Sequence, residues 1–466
     1  MSDSAGQTAP TRRWAVLSVV CLGVTITTLD LGMTTIGFPA ISAALGADLS
    51  AVVWVGIGYF LVSAGLLFFM GWLGDALGRR RVYVWGMVII AVGLGLSALA
   101  ENIFQLIGSR LVMAVGVAMA QANATAIVVE AFPTGERGRG LGILGGVQGA
   151  GLAAGPLAGG YLLASLGWPA LFYIRIPLAV AAALLAWATL HPTPGQGKSR
   201  PDILGSFSLF MGFGGLLLAV NRLGKVGLDS PLVWVPAAVA VAFLAIFPLV
   251  ERRAAQPVLS PSLFSNRSFT LAQGGFLFHF GAWGVMMFLT PFYLVEGLGY
   301  SPQTAGLLFA FFPGMRVVLA PLAGSLSDRI GVKIPCSVGL LIMAVGLGWL
   351  SQLGPNPGAV QVAAAFAVGG VGSALFDPVG IRAIMESVPR SLVGTASASV
   401  PAARQLGGSV GGALGGAVLA AQGVVLGTTA VVAGFSAAVI MAAVMVTLGA
   451  AACLLRPSVE VPQEHA

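Results

Sequence analysis

Long apolar runs divide the chain, and this pattern limits its possible folds more than any other feature. Each run has about 20 residues, the length of an α-helix that crosses the hydrocarbon core of a bilayer. The runs cover residues 14–37, 51–74, 82–99, 103–129, 140–164, 170–189, 203–222, 232–250, 269–295, 303–326, 334–352, 359–384, 393–420 and 430–455. Only 8% of the residues are charged, against about 25% in soluble proteins. The sequence therefore predicts an all-α integral membrane protein with fourteen transmembrane helices.

Basic residues are concentrated on one side of these predicted helices. With the amino terminus in the cytoplasm, sixteen of the 23 Lys and Arg residues lie on the cytoplasmic side. They are Arg12, Arg13, Arg79, Arg80, Arg81, Arg137, Arg139, Lys198, Arg200, Arg252, Arg253, Arg267, Arg329, Lys333, Arg390 and Arg456. Cytoplasmic loops of membrane proteins carry such an excess. We therefore expect a multi-pass protein of the bacterial cytoplasmic (inner) membrane with both termini in the cytoplasm. The first run is too long for a cleaved signal peptide, so it predicts a retained helix.

Two landmarks recur along the chain at nearly the same distance. Gly71-Trp-Leu-Gly-Asp75-Ala-Leu-Gly78-Arg79-Arg80-Arg81 is followed 253 residues later by Gly324-Ser-Leu-Ser-Asp328-Arg329-Ile-Gly331-Val-Lys333. A Pro followed five residues later by Gly occurs at Pro133 and again at Pro389, 256 residues on. The alternative is chance recurrence in a Gly-rich chain. We interpret the repeat as two related six-helix halves, residues 1–190 and 269–466, separated by a linker and two inserted helices at 191–268.

The charged turn after the second run resembles the signature loop of the major facilitator superfamily, and nearly the whole chain resembles the superfamily's fourteen-helix drug:proton antiporters. The resemblance implies two six-helix bundles plus two inserted helices. It also implies a gating loop in which glycines let helix ends approach and Asp–Arg pairs act as a latch. The alternative is a plain turn whose arginines only set topology. The implied gating residues are Gly71, Asp75, Gly78, Arg79, Arg80, Asp328 and Arg329.

The fifth run contains a Gly-rich element that resembles one associated with exporters of this superfamily. It reads Gly151-Leu-Ala-Ala-Gly155-Pro156-Leu-Ala-Gly159-Gly160. The glycines form a smooth surface for close helix packing, and the proline interrupts the hydrogen-bond ladder and permits a kink. Ordinary small-residue packing is the alternative. The resemblance favours export over import.

Asp30 is the predicted proton carrier. It lies in the first run within Leu29-Asp30-Leu-Gly32-Met-Thr34, which resembles an element of the fourteen-helix branch. A carboxyl group inside a span costs about 3 kcal/mol, and burial favours its neutral form, so it can load and release a proton. Arg110 resembles the Arg of the superfamily's proton-coupling element, although Met113 and Ala114 replace the usual Gln and Gly. A permanent structural Asp30–Arg110 pair is the alternative.

Further intramembrane side chains are candidates for the substrate path. Arg175 stands where the family usually has Asn, and Arg316 and Asp377 lie within later runs. Arg316 and Asp377 either pair with each other or, as the alternative, Arg316 binds an anionic headgroup. The ninth run supplies apolar and titratable candidates: Phe276, His279, Trp283 and Met287. Many of these side chains are expected to face lipid or neighbouring helices, and a hydrogen-bonded structural histidine is the alternative for His279.

These features predict a secondary active transporter, driven by the proton gradient, that exports hydrophobic or amphipathic drug-like compounds by alternating access. No Walker loop and no cluster with metal-ligand spacing occurs in the sequence, so we expect neither an enzyme nor a cofactor or metal. Expected partners are a small-molecule substrate, protons and lipid, without nucleic acid, and the expected state is a monomer. A carrier of an organic anion or lipid that uses Arg175 and Arg316 is one alternative. A non-transporting receptor or scaffold on a carrier fold is the other.

Overall fold

The computed structural model describes residues 10–133, 136–191, 202–226, 230–253, 261–389, 392–421 and 428–457. Lys198, Arg200, Arg390 and the stretch 192–201, which belongs to the predicted linker before the two inserted helices, lie outside these ranges. The described residues form α-helices and one π-helical turn and contain no β-strand. The helices are α1 (Pro10–Ile36), α2 (Phe38–Leu45), α3 (Leu49–Leu77), α4 (Arg79–Ala98), α5 (Ile103–Ala131), α6 (Arg137–Leu166), α7 (Ala170–Tyr173), α8 (Ile176–Thr189), α9 (Ile203–Val226), α10 (Pro231–Glu251), α11 (Pro261–Ser265), α12 (Arg267–Phe292), α13 (Pro302–Ile330), α14 (Lys333–Gln352), α15 (Ala359–Glu386), α16 (Val393–Ala421) and α17 (Thr428–Leu454), and the π-helical turn Tyr293–Gly297 follows α12.

Each of the fourteen apolar runs corresponds to a long helix or to a pair of successive helices. Within the described residues, twelve helices are long and apolar enough to cross a membrane, and the bent α3 makes thirteen. The predicted all-α membrane fold is therefore confirmed. The count of fourteen spans stays a prediction, because α16 is rich in Gly, Ala and Ser and is not among the thirteen. With 29 residues, α16 would extend about 43 Å, since an α-helix rises 1.5 Å per residue.

Polar side chains cap the starts of α3 and α5, and a glycine forms the turn between α3 and α4. The Asp48 side chain accepts a hydrogen bond from the Ala51 backbone N–H at the start of α3, at 2.7 Å. Asn102 does the same for α5, by accepting from the Gln105 N–H at 2.9 Å. These side chains satisfy N–H groups that have no partner within the helix. The turn between α3 and α4 is a single residue, Gly78, whose φ of 96° lies in a region that side chains disfavour.

The helices pack as two bundles, which we call the N half (α1–α8) and the C half (α12–α17). In the N half α1 packs on α6, α3 on α5, and α4 on α5 and α8. In the C half α12 packs on α16 and α17, α13 on α15, and α14 on α15 and α17. The inserted α9 and α10 pack on each other, and α9 also contacts α3 and α16. The halves meet chiefly where α6 contacts α13 and where α3 contacts α16.

The Arg-rich turns share one face of the molecule. Arg79, at the start of α4, pairs with Glu130 near the end of α5, and Arg13 of α1 pairs with Glu136 just before α6. These pairs place the beginning of α6 on the Arg-rich face and its end on the opposite face.

The two halves approach each other most closely away from the Arg-rich face. At the far end of α6, a Cβ added to Gly160 would lie 3.3 Å from the Cα of Gln303, the second residue of α13. Nearer the Arg-rich face, a Cβ added to Gly142, Gly145 or Gly146 would meet no atom within 4 Å. The halves are therefore closed on the far side, whereas the face of α6 that carries Gly142, Gly145 and Gly146 is open nearer the Arg-rich face.

Candidate transport site

Asp30 lies at the centre of a charged group inside the N half, which we call the α1 cluster (Asp30, Arg110 and Arg175). The Arg110 guanidinium donates to both carboxylate oxygens of Asp30, from Nη1 to Oδ1 at 2.8 Å and from Nη2 to Oδ2 at 2.6 Å. Arg175 forms a second ion pair, from Nη1 to Oδ1. Thr34 Oγ1, one turn further along α1, also donates to Oδ1, at 3.2 Å. One carboxylate is thus held by two cations and a hydroxyl.

Helix geometry brings the three residues of the α1 cluster together. Asp30 lies in the second half of α1, whereas Arg110 lies two turns into α5, which runs in the opposite direction. Arg175 occupies the short break between α7 and α8, and the proline at the start of α8 helps to create that break. There the Arg175 Nε donates to the Leu171 carbonyl at 2.8 Å. The break therefore aims Arg175 inward at α1.

The α1 cluster is sealed from its surroundings. The exposed fraction of the side chain is 0% for Asp30 and 1% for both arginines. The Tyr59 ring covers the Arg110 guanidinium, whose carbon lies 4.5 Å from the ring centroid. A carboxylate paired at this depth stabilises both guanidinium groups, and losing it would leave two buried cations without a counter-charge.

A second charged group, the α15 cluster (Arg316, Asp377 and Arg404), lies in the C half. Arg316 of α13 pairs with Asp377 Oδ2, and Arg404 of α16 donates from Nη2 to Oδ1 at 3.4 Å. The exposed fraction of the side chain is 13% for Arg316, 8% for Asp377 and 27% for Arg404. Of the two alternatives for Arg316, its pairing with Asp377 is present in this conformation. The α15 cluster differs from the α1 cluster in being accessible.

The aromatic candidates of α12 are buried beside the α15 cluster. His279 is fully buried, and its ring centroid lies 4.7 Å from that of Phe376. Its Nε2 is 3.3 Å from the Ser373 hydroxyl. Phe276 packs on Phe280 at 4.9 Å between centroids. Trp283 and Met287 are also buried. In this conformation these side chains are buried in the C half, and their role in a substrate path stays a prediction.

A short polar chain connects the two halves between the charged clusters. Gln405, next to Arg404 on α16, accepts a hydrogen bond from the Ser63 hydroxyl of α3 at 2.5 Å. The Gln405 Nε2 also donates to Gln121 Oε1 of α5, at 3.0 Å. This tie joins the halves through neutral groups.

The predicted gating residues form ion pairs within each half. Arg79 donates to Asp75 Oδ1 from Nε at 2.9 Å and reaches Glu130 through Nη1 at 2.6 Å. Arg80 donates to the Trp187 carbonyl and lies over the Trp187 ring. In the C half Asp328 pairs with Arg382 of α15, while Arg329 is exposed at the end of α13. The gating role of these residues stays a prediction.

The Gly-rich element of α6 contacts two different helices. Gly151, Gly155 and Gly159 face α1, where a Cβ on Gly155 would lie 2.9 Å from the Cα of Gly32. Pro156 and Gly160 face α13, where a Cβ on Gly306 would lie 3.1 Å from the Pro156 carbonyl carbon. Gly32 and Gly306 are the complementary glycines on the two partner helices. The element therefore packs both against the helix that carries Asp30 and against the C half.

Two partners in the charged clusters are not predicted from the sequence. Arg175 is a candidate for the substrate path, yet it pairs with Asp30. Arg404 is not among the predicted site residues, yet it pairs with Asp377. The number of charged residues within the predicted spans indicates both pairings. An arginine within a span needs a counter-charge, and with four such arginines and two aspartates each carboxylate has to serve two.

Comparison with known proteins agrees with this architecture. The model of the Major Facilitator Superfamily matches residues 20–265 and 271–465. The chain belongs to the major facilitator superfamily. The riboflavin transporter RibZ of Clostridioides difficile (strain 630) is 31% identical over 402 residues, which cover 86% of this chain and 87% of RibZ. The tetracenomycin C resistance and export protein of Streptomyces glaucescens is 31% identical, with 88% of this chain and 77% of the relative covered.

Two further similarities connect this superfamily member with drug transport and with a solved fold. The multidrug transporter protein MdtP of Bacillus subtilis (strain 168) is 29% identical, with 88% of this chain and 76% of MdtP covered. The solved structure of the POT family transporter PepTSo superimposes with a TM-score of 0.70 and covers 97% of this chain and 99% of that one, at 15% identity. At that identity the likeness shows the fold alone. The predicted superfamily and its drug-efflux branch are confirmed, and the protein is a membrane transporter.

Proposed function

We propose that this transporter exports hydrophobic or amphipathic drug-like compounds in exchange for protons, with the proton gradient as its energy source and no cofactor. The observation that carries the proposal is the α1 cluster. A carboxylate that is completely buried in a span is costly unless it is paired, and such groups mark ion and substrate pathways. Asp30 has two partners on separate helices, so a change in helix packing can release it from one or both. Relatives named as multidrug and export proteins support the direction of transport.

The proposed cycle depends on two states of Asp30. Two neighbouring cations stabilise the charged form of a carboxyl group, so Asp30 is ionised in the sealed conformation. When α1, α5 and the α7–α8 break move apart, the carboxyl group loses that support and takes up a proton. Exchange requires that substrate and proton favour different conformations, because a ligand that binds both equally shifts no population. We assign the Arg-rich face to the cytoplasm, so the conformation described is closed to the outside.

Flux measurements in membrane vesicles test the proposal. Everted vesicles that contain the protein are given one of three fluorescent probes: cationic ethidium, neutral N-phenyl-1-naphthylamine or anionic 8-anilinonaphthalene-1-sulfonate. We expect uptake of at least one probe under a pH gradient, with matching proton release reported by a trapped pH indicator. A probe flux that does not depend on the pH gradient would show that transport is not coupled to protons. Absence of flux for every probe would favour the receptor or scaffold alternative.

Replacing Arg175 by Asn should move the pH dependence of transport. The change removes one of the two cations next to Asp30, so its carboxyl group should take up a proton at a higher pH. We expect the half-maximal point of the profile of exchange rate against pH to move by about one unit toward alkaline pH. Vesicle flux measured from pH 5.5 to 9 checks this.

A matched control for that substitution is Arg222→Asn, which removes an exposed arginine from α9. Its profile should coincide with that of the unaltered protein. A purely structural role for Arg175 would lower the rate of the Arg175→Asn variant equally at every pH. Such a uniform loss would contradict the assignment of Asp30 as proton carrier.

A further inference from the structure

Arginines outnumber acidic residues in the two charged clusters. The clusters contain Arg110, Arg175, Arg316 and Arg404 against Asp30 and Asp377, and the other acidic residues that the structure describes lie at helix ends or turns. Each cluster therefore carries a net charge of +1. A buried charge without compensation is costly in an apolar environment, so both clusters favour the approach of an anion.

The two clusters differ in how far their side chains are exposed. No side chain of the α1 cluster is more than 1% exposed, and the Tyr59 ring covers one guanidinium. In the α15 cluster more than a quarter of the Arg404 side chain is exposed. The α15 cluster is therefore partly exposed in the conformation described, whereas the α1 cluster is closed. This also removes Arg175 as an anion-binding group in the conformation described.

Arg404 has hydrogen-bond donors to spare. Its 3.4 Å contact with Asp377 is longer than the 2.6 and 2.8 Å contacts between Arg110 and Asp30. Its Nε is buried without a hydrogen-bond partner. A guanidinium group offers five N–H donors in a planar fork that fits a carboxylate or a similar oxyanion. Arg404 is consequently the residue of this cluster best placed to accept a second anion.

Apolar groups border the accessible guanidinium groups. The Arg404 guanidinium lies over the Phe280 ring, 4.9 Å from its centroid. Val317 follows Arg316 and is 45% exposed, on the part of α13 that faces Gly149 of α6. An anion that binds here thus meets charge on one side and hydrocarbon on the other. Such surroundings suit a ligand with one negative group on an apolar body.

We propose that the α15 cluster is a binding site for amphipathic organic anions, in which Arg404 and Arg316 hold the negative group and the apolar body lies between α6 and α13. Asp377 is the counter-ion of the empty site and competes with the ligand for the same donors. This inference rests on the proposed transport function and names a substrate class for it. It predicts a site that distinguishes compounds by charge.

Equilibrium binding of two matched probes tests the assignment. The anion 8-anilinonaphthalene-1-sulfonate and neutral N-phenyl-1-naphthylamine share one aromatic skeleton and differ by the sulfonate. The full chain is placed in phosphatidylcholine nanodiscs, so that no anionic headgroup competes. Bound probe is measured against empty discs without a pH gradient. Proton coupling plays no part in this measurement, so failure of the exchange mechanism and failure of the anion site give separate results.

Three variants make the test specific. Arg404→Gln should weaken sulfonate binding about tenfold, as expected when one charge-assisted contact is lost. It should leave binding of the neutral probe unchanged, which also reports that the protein is folded. Asp377→Asn should strengthen sulfonate binding about tenfold, because it removes the competing carboxylate. Arg382→Gln, on the same helix as Asp377 but paired with Asp328 near the Arg-rich face, should change neither affinity.

The Asp377→Asn result is the decisive one, since a misfolded protein does not gain affinity. The proposal is overturned if the unaltered protein binds no sulfonate above the empty discs. It is also overturned if Arg404→Gln leaves sulfonate affinity unchanged, or if Asp377→Asn fails to raise it.

Discussion

Asp30→Asn is expected to abolish proton-driven transport. Asparagine neither carries the negative charge nor exchanges a proton, so the substituted carrier has no group whose protonation separates its two conformations. We expect gradient-dependent probe efflux to fall at least a hundredfold while the amount of protein in the membrane stays normal. Glu101→Gln, which neutralises an exposed carboxylate in the turn between α4 and α5, should leave efflux intact. Unchanged efflux in Asp30→Asn would remove Asp30 from the mechanism.

A double variant separates coupling from stability. Asp30→Asn alone leaves Arg110 and Arg175 without a counter-charge and should destabilise the protein by about 3–5 kcal/mol. Adding Arg175→Asn restores the net charge of the cluster to +1, so the thermal unfolding temperature should recover in large part. Coupled efflux should remain absent, because the titrating group is still missing. Recovery of efflux together with stability would show that Asp30 has a structural role only.

The second large effect is expected at Gly155. A Cβ at this position would lie 2.9 Å from the Cα of Gly32 and 3.1 Å from the Leu29 carbonyl oxygen. Both contacts are with the backbone of α1, which cannot move aside as a side chain does. Gly155→Leu should therefore separate α1 from α6, lower stability by about 3 kcal/mol and abolish transport. Thermal unfolding in detergent and vesicle flux measure the two effects.

The same helix supplies the control for Gly155→Leu. A Cβ on Gly146 would meet no atom within 4 Å, so Gly146→Leu should unfold within a few degrees of the unaltered protein. Equal destabilisation by both substitutions would indicate that α6 itself, rather than its contact with α1, is sensitive to the loss of glycine.

Most of the fold could be predicted from the sequence, because the constraint is local. A bilayer requires every spanning backbone group to find its hydrogen bond within the segment, so apolar length alone specifies the helices. The 14–37 and 103–129 runs correspond to α1 and α5 within a few residues. Hydropathy specifies the number of spans less well, since α16 consists largely of small residues that pack closely and contribute little hydropathy.

The charged clusters were only partly predictable, because their geometry depends on helix rotation. Asp30 and Arg110 were paired from a resemblance, and Arg316 and Asp377 were offered as a pair. Arg175 and Arg404 could be assigned only once the α7–α8 break and the register of α16 were known. The position of a residue along a helix follows from the sequence. The neighbour that its side chain faces depends on the crossing angles between packed helices, which cannot be derived from the apolar pattern.

Each charged cluster lies wholly within its own half, the α1 cluster in the N half and the α15 cluster in the C half. The Ser63–Gln405–Gln121 contact between the halves is neutral. A rotation of one half against the other can therefore leave every ion pair of the two clusters intact. Reorientation then requires no electrostatic work to separate a guanidinium group from its carboxylate. That work is needed only in the steps in which a ligand or a proton binds. In kinetic terms, reorientation of the carrier should depend only weakly on ionic strength, and the loading steps should carry most of the salt dependence.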